Sequence, residues 1–450
     1  MGLMTNDFMM TVHNDKKRFG YQAEDYMFKT GILPLDWANA QITMRDGKPF
    51  ADIGIDMGKI IMISGKPGCG KTTFGIQLAW SVMKKYEEST MFYLDYEGAF
   101  NPDRVMGLTG MTEEEVGGFE KDKDGNPLPG TRVQTKQIGI YRDTILKLAF
   151  QTRNFKLEHK KELLVENKEG ILDRDGTVKK ILPPTFIFVD SISGITAELD
   201  KKDEEEVGSL TEGGRDAIMN KKLFKKLIQP CLEANIIVIA INQETQNMGM
   251  GVTPPTATTR YLKNTQAVGG GSGIQFFTNL WINMEAGDKI DCTSDKLKRF
   301  DGVTGFFVKG TIVKSRNSEG GRTFNMVFDQ RSGFDVDLSL FELLYENGKG
   351  GLGVGSLKLP GLENKKFRLA NVKEMILTDP EFRDRFYELA EAKLRDSVTV
   401  SKNINFDSSE EVIRNLEEHD YKELDNTSDS VEEAEVETLD ASVDFKSDEE

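Results

Sequence analysis

The chain carries the stretch Gly65-Lys66-Pro67-Gly68-Cys69-Gly70-Lys71-Thr72-Thr73, which lies between a short apolar run, residues 59–64, and a segment of helical apolar spacing, residues 74–80. Strand, glycine loop and helix in this order are the context of a phosphate-binding loop. Glycines admit positive φ, so successive backbone N–H groups can turn toward the β- and γ-phosphates of ATP. Lys71 would reach those phosphates and Thr72 would bind Mg²⁺, with the helix N-terminus adding a favourable dipole. The alternative is a glycine turn that joins a strand to a helix and binds no nucleotide.

Length and charge limit the classes of protein to which this chain can belong. Its 450 residues, 38% of them hydrophobic, are enough for two or three globular domains. The net charge of −16 argues at first against nucleic acid, but residues 407–450 hold 18 acidic against 3 basic side chains. That tail carries almost all of the excess charge, and we expect it to be disordered. The remaining body is close to neutral and can hold a basic channel for DNA.

Cysteines and histidines are too few and too far apart for a metal cluster or a disulfide framework. The three cysteines, Cys69, Cys231 and Cys292, show no C-x-x-C spacing, and only three histidines are present. Mg²⁺ carried by ATP is therefore the metal that we expect. The N-terminal sequence does not have the form of a signal peptide, and no run reaches the roughly 18 apolar residues of a membrane span. We expect a cytoplasmic protein without a membrane partner.

The carboxylate of Glu97 is the candidate catalytic base. It lies just beyond residues 91–95, a second apolar run typical of a buried strand. In a parallel sheet that end lies on the same edge as the phosphate loop, so Glu97 could orient or deprotonate the water that attacks the γ-phosphate. The alternative is that Glu97 only caps the next turn. Arg104 either covers the adenine or lies on a solvated helix face, and spacing does not separate the two.

Two further apolar runs end in polar residues that suit the same site. Residues 185–189 lead into Asp190 in the Walker B pattern, and Asp190 would hold Mg²⁺ through water or accept a hydrogen bond from Thr72. Residues 235–242 lead into Gln243, which lies where a sensor of the γ-phosphate would lie. A polar residue is also the ordinary way in which a strand ends, so a purely structural role stays open for Gln243.

A long segment without periodicity, residues 244–273, is the candidate DNA-binding loop. A loop of this length inside a compact domain is usually functional or disordered. Its hydroxyls, amides and backbone N–H groups suit a phosphate backbone, and Met248 or Met250 could insert between bases. The DNA-binding candidates in and beside the loop are Arg215 and Lys222 on a helix predicted over residues 215–227, Met248, Arg260 and Lys263, and the glycine-rich end with Gly270, Gly271 and Ser272.

Strands are predicted downstream around residues 275–284, 305–315 and 322–328. Lys314 and Arg316 stand at the end of the middle strand on alternate positions, hence on one face. The predicted domains are an N-terminal oligomerisation arm (1–29), an ATPase core (30–337) with an insertion (117–184) and the DNA-binding loop (244–273), a small C-terminal domain (338–397) and an acidic disordered tail (398–450).

The order of these parts resembles one family, the RecA-type recombinases, including the phage-encoded UvsX-like members. The resemblance covers residues 30–395 except the insertion, and it implies an α/β fold with a mostly parallel twisted sheet flanked by helices. The segments that carry it are Thr30-Gly-Ile-Leu-Pro-Leu-Asp36, the phosphate loop, Asp95-Tyr-Glu97, Val189-Asp190-Ser191, Ile241-Asn242-Gln243 and Gly270-Gly271-Ser-Gly-Ile-Gln-Phe-Phe277.

The resemblance implies roles for individual residues. Glu97 would be the catalytic base, and Gln243 would couple the γ-phosphate to the DNA-binding loop. Lys314 and Arg316 match the basic pair that the family extends across the subunit interface to the ATP of the neighbour. By the same resemblance Arg104 would stack on adenine, and Met248 would insert between base triplets.

The implied activity is DNA-stimulated ATP hydrolysis in a helical filament on single-stranded DNA, with homologous pairing to double-stranded DNA and strand exchange. A recombination mediator and a single-strand binding protein would be further partners. Departures from the family lie in the DNA contacts. The candidate DNA-binding loop, residues 244–273, corresponds to the second DNA loop of the family and is longer than in bacterial RecA. The first loop, residues 199–214, is acidic, and Thr245 replaces a basic residue.

Two other functions fit the same phosphate loop. A hexameric DNA helicase on the same fold would need an N-terminal collar domain, which we do not find in the sequence. A small-molecule P-loop kinase would leave residues 244–273 without a function.

Overall fold

The structure is a computed structural model that describes residues 26–45, 48–173, 175–195, 212–246, 260–262, 266–269, 271–290, 303–345, 357–367 and 371–399. Most of the expected N-terminal arm and of the expected acidic tail lies outside these residues. Within them, no helix is both long enough and apolar enough to cross a membrane.

Helices and strands alternate through the core in the order typical of an α/β protein. The helices are α1 (Leu33–Ala38), α2 (Lys71–Met83), α3 (Pro102–Thr109), α4 (Glu113–Val116), α5 (Arg142–Glu158), α6 (Lys160–Leu163), α7 (Glu212–Ala234), α8 (Gly271–Phe277), α9 (Val336–Tyr345), α10 (Val372–Thr378) and α11 (Pro380–Thr399). The strands are β1 (Met27–Phe28), β2 (Gln41–Arg45), β3 (Lys48–Asp52), β4 (Ile55–Asp56), β5 (Ile60–Gly65), β6 (Thr90–Asp95), β7 (Gly117–Lys121), β8 (Pro127–Pro129), β9 (Val133–Lys136), β10 (Val165–Glu166), β11 (Lys180–Ile181), β12 (Thr185–Asp190), β13 (Ile236–Gln246), β14 (Gln266–Val268), β15 (Leu280–Ile290), β16 (Gly305–Ser315), β17 (Thr323–Asp329), β18 (Gly333–Asp335), β19 (Leu357–Leu359) and β20 (Leu362–Phe367).

A large, mostly parallel sheet forms the centre of the molecule, in the strand order β18-β17-β16-β15-β5-β13-β12-β6-β9. The strands from β15 to β9 pair in parallel, whereas β16, β17 and β18 add antiparallel strands at one edge. The short strand β14 pairs antiparallel with the far end of β13. The predicted α/β core, a mostly parallel sheet flanked by helices, is therefore confirmed.

Alternate residues of the parallel strands face two separate hydrophobic cores. In β5, Ile61 and Ile63 belong to the cluster that contains α2, and Ile60 and Met62 belong to the cluster that contains α5 and α7. Strands buried on both faces need continuous apolar runs rather than alternating ones. The carboxyl ends of β5, β6, β12 and β13, where the candidate ATP-site residues stand, meet at one edge of this sheet.

The segment from Thr30 to Asp36 is organised by one buried carboxylate. Asp36 accepts hydrogen bonds from the backbone N–H of Thr30, from the Thr30 hydroxyl at 2.6 Å and from the N–H of Gly31 at 2.9 Å. Burial raises the pKa of Asp36 to about 6, and these hydrogen bonds oppose the rise. The carboxylate thereby fixes the turn through which the chain enters α1.

Residues 117–184, which we interpreted as an insertion, contribute one strand and one helix to the core. β9 pairs in parallel with β6, and α5 shares a buried cluster with α7. In α5 the ammonium of Lys156 is fully buried and donates to the carbonyl oxygens of Pro183 at 2.6 Å and Ala234 at 3.0 Å. Burial lowers the pKa of Lys156 to about 7. The other strands of this range form two antiparallel pairs, β7–β8 and β10–β11.

The C-terminal helices pack on the core through a third hydrophobic cluster. Phe382 and Phe386 of α11 stack with their ring centroids 6.2 Å apart, in the cluster that also holds Trp37 of α1. The helices α10 and α11 are separated at Asp379-Pro380, because a proline disfavours helical conformation at the residue before it.

The strand predicted from residue 275 is wrong in its first part. Residues 271–277 form the helix α8, and β15 begins only at Leu280. The N–H and the hydroxyl of Thr278 both donate to the carbonyl oxygen of Ile274, at 3.0 and 2.8 Å, and so complete a last helical turn before the strand. Such local side-chain hydrogen bonds outweigh the β-propensity of the aromatic residues in this segment.

Candidate ATP site

The phosphate-binding loop joins β5 to α2 and depends on glycine at two positions where a side chain has no room. A Cβ on Gly65 would lie 2.3 Å from the carbonyl oxygen of Met284, and a Cβ on Gly70 would lie 3.0 Å from the ring of Phe334. Gly70 also has φ +88°, a left-handed conformation that directly precedes the first residue of α2. The loop therefore ends at a helix N-terminus with its N–H groups unpaired within the helix, the arrangement that binds phosphate.

Lys71 and Thr72 occupy the first two positions of α2 and face different parts of the site. The ammonium of Lys71 donates to the carbonyl oxygen of Lys66 at 2.8 Å, inside the loop. The hydroxyl of Thr72 donates to Oδ2 of Asp190 at 2.9 Å. The sequence predicted this second contact as one of two roles for Asp190, and the structure brings the two residues together.

Oxygen ligands of this kind suit Mg²⁺, which keeps several waters and takes few protein ligands. Thr72 supplies a hydroxyl, and Asp190 a carboxylate 2.9 Å from it. Within the described residues no group of three or more histidine, cysteine or acidic side chains could hold a metal ion by itself. The donor set therefore fits a Mg²⁺ that arrives with a nucleotide.

Asp190 has a second hydrogen-bond donor that sequence reasoning missed. The hydroxyl of Tyr93, on the neighbouring strand β6, donates to Asp190 Oδ2 at 2.7 Å. Burial raises the pKa of Asp190, and the hydrogen bonds from Tyr93 and Thr72 oppose that rise. The apolar run 91–95 identified Tyr93 only as a buried strand residue, because periodicity does not show where a phenol hydroxyl points.

Glu97 lies at the centre of a small hydrogen-bonded group at the carboxyl edge of the sheet. Its Oε1 accepts from the hydroxyl of Ser191 at 2.6 Å and from the side-chain amide of Gln243 at 2.9 Å. Ser191 in turn lies 2.6 Å from the hydroxyl of Ser193. The two residues that the sequence singled out as base and sensor are thus in direct contact, and Ser191 is an additional neighbour to which sequence reasoning gave no role.

Asp95 positions the turn that carries Glu97. Its carboxylate accepts from the backbone N–H groups of Ala99 at 3.0 Å and Phe100 at 2.8 Å, and from the side-chain amide of Gln137 at 2.8 Å. A carboxylate at a strand end that is followed by a glycine-containing turn was the available signal in the sequence. The contact with Gln137 was not predictable, because Gln137 directly follows β9, which lies in the range that we interpreted as an insertion.

Arg104 lies in the first turn of the helix α3. Its guanidinium donates to the carbonyl oxygens of Gln330 at 2.9 Å and Arg331 at 2.7 Å, in the turn between β17 and β18. The side chain of Asn101 caps α3 by accepting from the Arg104 N–H at 3.0 Å. The structure thus places the Arg104 side chain on a backbone turn.

Lys314 and Arg316 lie at the opposite edge of the sheet from the phosphate loop of their own chain. Ser315 of β16 pairs with Leu280 of β15, and Leu280 pairs with Ile61 near the start of β5. Ile61 lies four positions before Gly65. At about 3.3 Å per residue, this separates the two cations from the level of the loop by roughly 13 Å along the strands. The structure does not bring these two predicted site residues together with Lys71 or Glu97.

Lys314 makes contacts of its own at that edge. Its ammonium donates to the carbonyl oxygens of Gln275 at 2.8 Å and Phe276 at 2.7 Å, at the C-terminal end of α8. The pKa of Lys314 is lowered to about 8, mainly because the ammonium is partly buried and secondly because the positive charge of Arg316 is near it. Arg316 itself is exposed. Lys314 therefore caps the helix into which the candidate DNA-binding loop runs.

The ends of the candidate DNA-binding loop are anchored on the sheet. β13 continues past Gln243 to pair with β14, and the side-chain amide of Asn242 donates to the carbonyl oxygen of Gly269 at 2.9 Å. Leu262 is buried in the core shared with α7, and Tyr261 packs over Gly320 in the turn between β16 and β17.

The DNA-binding candidates fall into two groups. Met248, Lys263 and Gly270 lie outside the described residues, as does Met250. Of the others, Arg260 and Lys222 are exposed, Arg215 lies in α7, and Gly271 and Ser272 begin α8.

The fold and this edge of the sheet together define a P-loop ATPase, and comparison with known proteins agrees. A family model described as "ATPase: KaiC" matches residues 28–93, which include the whole phosphate loop. Protein RecA of Rickettsia bellii (strain RML369-C) is 22% identical over 365 residues, which cover 80% of this chain and 84% of that protein. Protein RecA of Clostridium botulinum (strain Eklund 17B / Type B) is 22% identical over 330 residues, 72% of this chain and 74% of that protein. These similarities support a RecA-type family for this chain.

Proposed function

We propose that this protein is an ATP-dependent recombinase of the RecA type. It would form helical filaments on single-stranded DNA, pair that strand with a homologous duplex and exchange strands, with ATP hydrolysis stimulated by DNA. The similarity to proteins named RecA over four fifths of the chain supports this proposal at the level of the family. A phage-type, UvsX-like member is the finer reading that we propose from the sequence motifs.

The observation that carries the proposal is the hydrogen bond between Gln243 and Glu97. Gln243 stands on β13, and the same strand continues into the segment that we propose to bind DNA. In this proposal, a movement of the Gln243 side chain toward a γ-phosphate is passed along β13 to the loop. In this proposal, β13 joins the catalytic carboxylate to the segment that holds the polynucleotide.

In the proposed mechanism, the N–H groups of the loop and the ammonium of Lys71 hold the β- and γ-phosphates. Thr72 and Asp190 would hold a Mg²⁺ that arrives with the nucleotide, and this ion would supply neutralisation of charge on the phosphate oxygens. Glu97 accepts a proton from the attacking water, and the hydrogen bond that it accepts from Ser191 holds the carboxylate in place. When Gln243 turns to a γ-phosphate, it leaves Glu97 free to act as the base and shifts β13.

Lys314 and Arg316 take part across a subunit junction in this proposal. They lie about 13 Å from the level of their own loop along the strands, so a phosphate that they contact belongs to a neighbouring copy. A head-to-tail contact between opposite edges of the same sheet repeats from copy to copy, and it would produce a helical filament where the rotation between copies does not close a ring. ATP at each junction then ties the nucleotide state to the filament state.

The DNA contacts in the proposal come from the face that carries the loop. Arg215, Lys222, Arg260 and Lys263 would neutralise phosphates, and Met248 would separate bases, while the end of the loop at Gly270, Gly271 and Ser272 would bring backbone N–H groups to the strand. Arg104, whose guanidinium donates to the β17–β18 turn, is proposed to stack on the adenine. A mediator and a single-strand binding protein are proposed as further partners of the filament.

The test is the ATPase rate with and without single-stranded DNA, joined to electron micrographs of the same samples. We expect the rate to rise with DNA and the micrographs to show helical filaments that require ATP. Lys71→Ala is the matched negative control and should lose both the filaments and ATP-dependent DNA binding. Closed rings would favour the helicase instead, and phosphate transfer to a metabolite without a response to DNA would favour the kinase. Either result would overturn the proposal.

A further inference from the structure

Tyr93 is a fully buried polar side chain of the ATP site to which the mechanism above gives no role. It is 1% exposed, and its hydroxyl is 2.7 Å from Oδ2 of Asp190. A carboxylate can only accept, so the phenol is the donor. The same oxygen accepts from Thr72 at 2.9 Å, which makes Oδ2 the shared acceptor of two hydroxyl groups from different elements.

The ring of Tyr93 is held on both sides by residues that belong to the site segments. It stacks on Phe188 of β12 with the centroids 4.8 Å apart and the planes at 16°, and it packs against Phe100 at 5.0 Å. Phe188 is two residues before Asp190, and Phe100 is three residues after Glu97. The hydroxyl is therefore fixed relative to both the metal-binding carboxylate and the turn that carries the base.

The hydroxyl is the part of Tyr93 that packing does not require. A phenylalanine would fill the same space between Phe188 and Phe100, whereas a buried hydroxyl is costly unless it is hydrogen-bonded. Here its acceptor is a carboxylate, and such charge-assisted hydrogen bonds are the stronger kind. The chemistry of the contact, rather than the filling of the core, thus accounts for tyrosine at this position.

We propose that Tyr93 is a positioning residue for the Mg²⁺–nucleotide site, acting through Asp190. By donating to Oδ2, the phenol would keep the carboxylate oriented for the Mg²⁺ that Thr72 and Asp190 would hold. Tyr93 touches neither nucleotide nor water in this role. The inference rests on the proposed ATP site and not on DNA binding or strand exchange.

The test compares Tyr93→Phe with the wild-type protein in binding of a fluorescent N-methylanthraniloyl derivative of ATP, as free Mg²⁺ is titrated from an EDTA solution. We expect the Mg²⁺ concentration at half effect to rise about tenfold, the loss anticipated for one hydrogen bond to a charged group. Binding of the derivative in EDTA should stay unchanged, because the loop and Lys71 are intact. The thermal unfolding midpoint without ligand, measured on the same samples, reports whether the fold is kept.

Tyr86→Phe is the matched control. Tyr86 is also 1% exposed, but its hydroxyl accepts from the backbone N–H of Lys168 at 3.0 Å, outside the ATP site. This variant should titrate with Mg²⁺ like the wild-type protein. If Tyr93→Phe also follows the wild-type Mg²⁺ curve, or loses equal affinity in EDTA and in Mg²⁺, the proposal is wrong. This assay contains no DNA, so a negative result would not contradict the recombinase proposal. In turn, an ATPase rate that does not respond to DNA would not contradict the role proposed for Tyr93.

Discussion

The side-chain amide of Gln243 donates a 2.9 Å hydrogen bond to the carboxylate of Glu97, which lies 146 residues earlier in the chain. Because Gln243 stands on the strand that leads into the candidate DNA-binding loop, the contact joins the proposed chemistry to the proposed DNA grip. In Gln243→Ala we expect the DNA-free ATPase rate to stay within about threefold of wild type, because the loop, Lys71 and Glu97 remain. Stimulation by single-stranded DNA should disappear.

Two controls sharpen that measurement. Glu97→Gln removes the base itself and should lower the rate by about 10²–10⁴ both with and without DNA. Gln137→Ala removes another amide that binds a carboxylate at the same edge, Asp95, and should keep the ratio of stimulated to basal rate. A Gln243→Ala protein whose stimulation ratio matches that of wild type would contradict the proposed coupling.

The trans assignment of Arg316 predicts complementation between two inactive proteins. Lys71→Ala lacks the lysine of its own phosphate loop, and Arg316→Ala lacks the cation offered to a neighbour, so each protein alone should have little ATPase activity at saturating DNA. In a random one-to-one mixture, about a quarter of the junctions combine an intact loop with an intact Arg316. We expect the mixture to recover activity in that proportion when hydrolysis is followed at saturating DNA.

The dilution series of each single variant provides the check on this interpretation. Arg316→Ala should match the wild-type rate at concentrations too low for assembly and fall behind only when filaments form. An equal deficit at every concentration, or a mixture no more active than its components, would place Arg316 in its own subunit's site and remove the trans model.

The packing of the phosphate-loop helix on the sheet is set by Gly75. A Cβ on Gly75 would lie 2.6 Å from the ring of Phe188, the residue on which Tyr93 stacks. Gly75→Ala should therefore push α2 away from β12 and lower the free energy of unfolding by about 1–3 kcal/mol. Gly107→Ala, in α3, is the matched control, since a Cβ there meets nothing within 4 Å. It should be neutral or stabilising by up to about 1 kcal/mol in the same urea titration. Equal stability of the two variants would show that α2 is not packed in this way.

Much of the site was predictable because parallel strands bring their carboxyl ends to one edge. The apolar runs before Gly65, Glu97, Asp190 and Gln243 were each long and continuous, so the strands and the residues that follow them could be placed together from the sequence. The contact between Thr72 and Asp190 followed from the same reasoning, and the structure contains it.

The remaining contacts depend on side-chain directions that periodicity does not encode. Tyr93 had the signature of a strand residue, and only the packed rings direct its hydroxyl to Asp190. Lys314 was predicted to reach the ATP of a neighbouring subunit, yet in the structure it also caps α8. The aromatic residues of this helix had led us to predict a strand there. Local hydrogen bonds at the end of α8 stabilise the helix against the β-propensity of its residues, and sequence patterns do not show such hydrogen bonds.

The buried ammonium of Lys156 predicts how stability changes with pH. Burial lowers its pKa to about 7 from the ordinary 10.5, so between these values the unfolded chain binds a proton that the folded chain does not. Stability must then increase as pH rises from 7 toward 10.5, by at most about 1.4 kcal/mol per pH unit for one proton, and this gain is absent below pH 7. Lys156→Met removes the titrating amine, so the free energy of unfolding of this variant should depend much less on pH. It also leaves the carbonyl oxygens of Pro183 and Ala234 without their donor. Urea unfolding at pH 7.0, 8.0 and 9.0 measures the difference, with Lys147→Met, an exposed lysine of the same helix, as the control expected to run parallel to wild type. Parallel curves for wild type and Lys156→Met would mean that the ammonium stays charged in the folded protein.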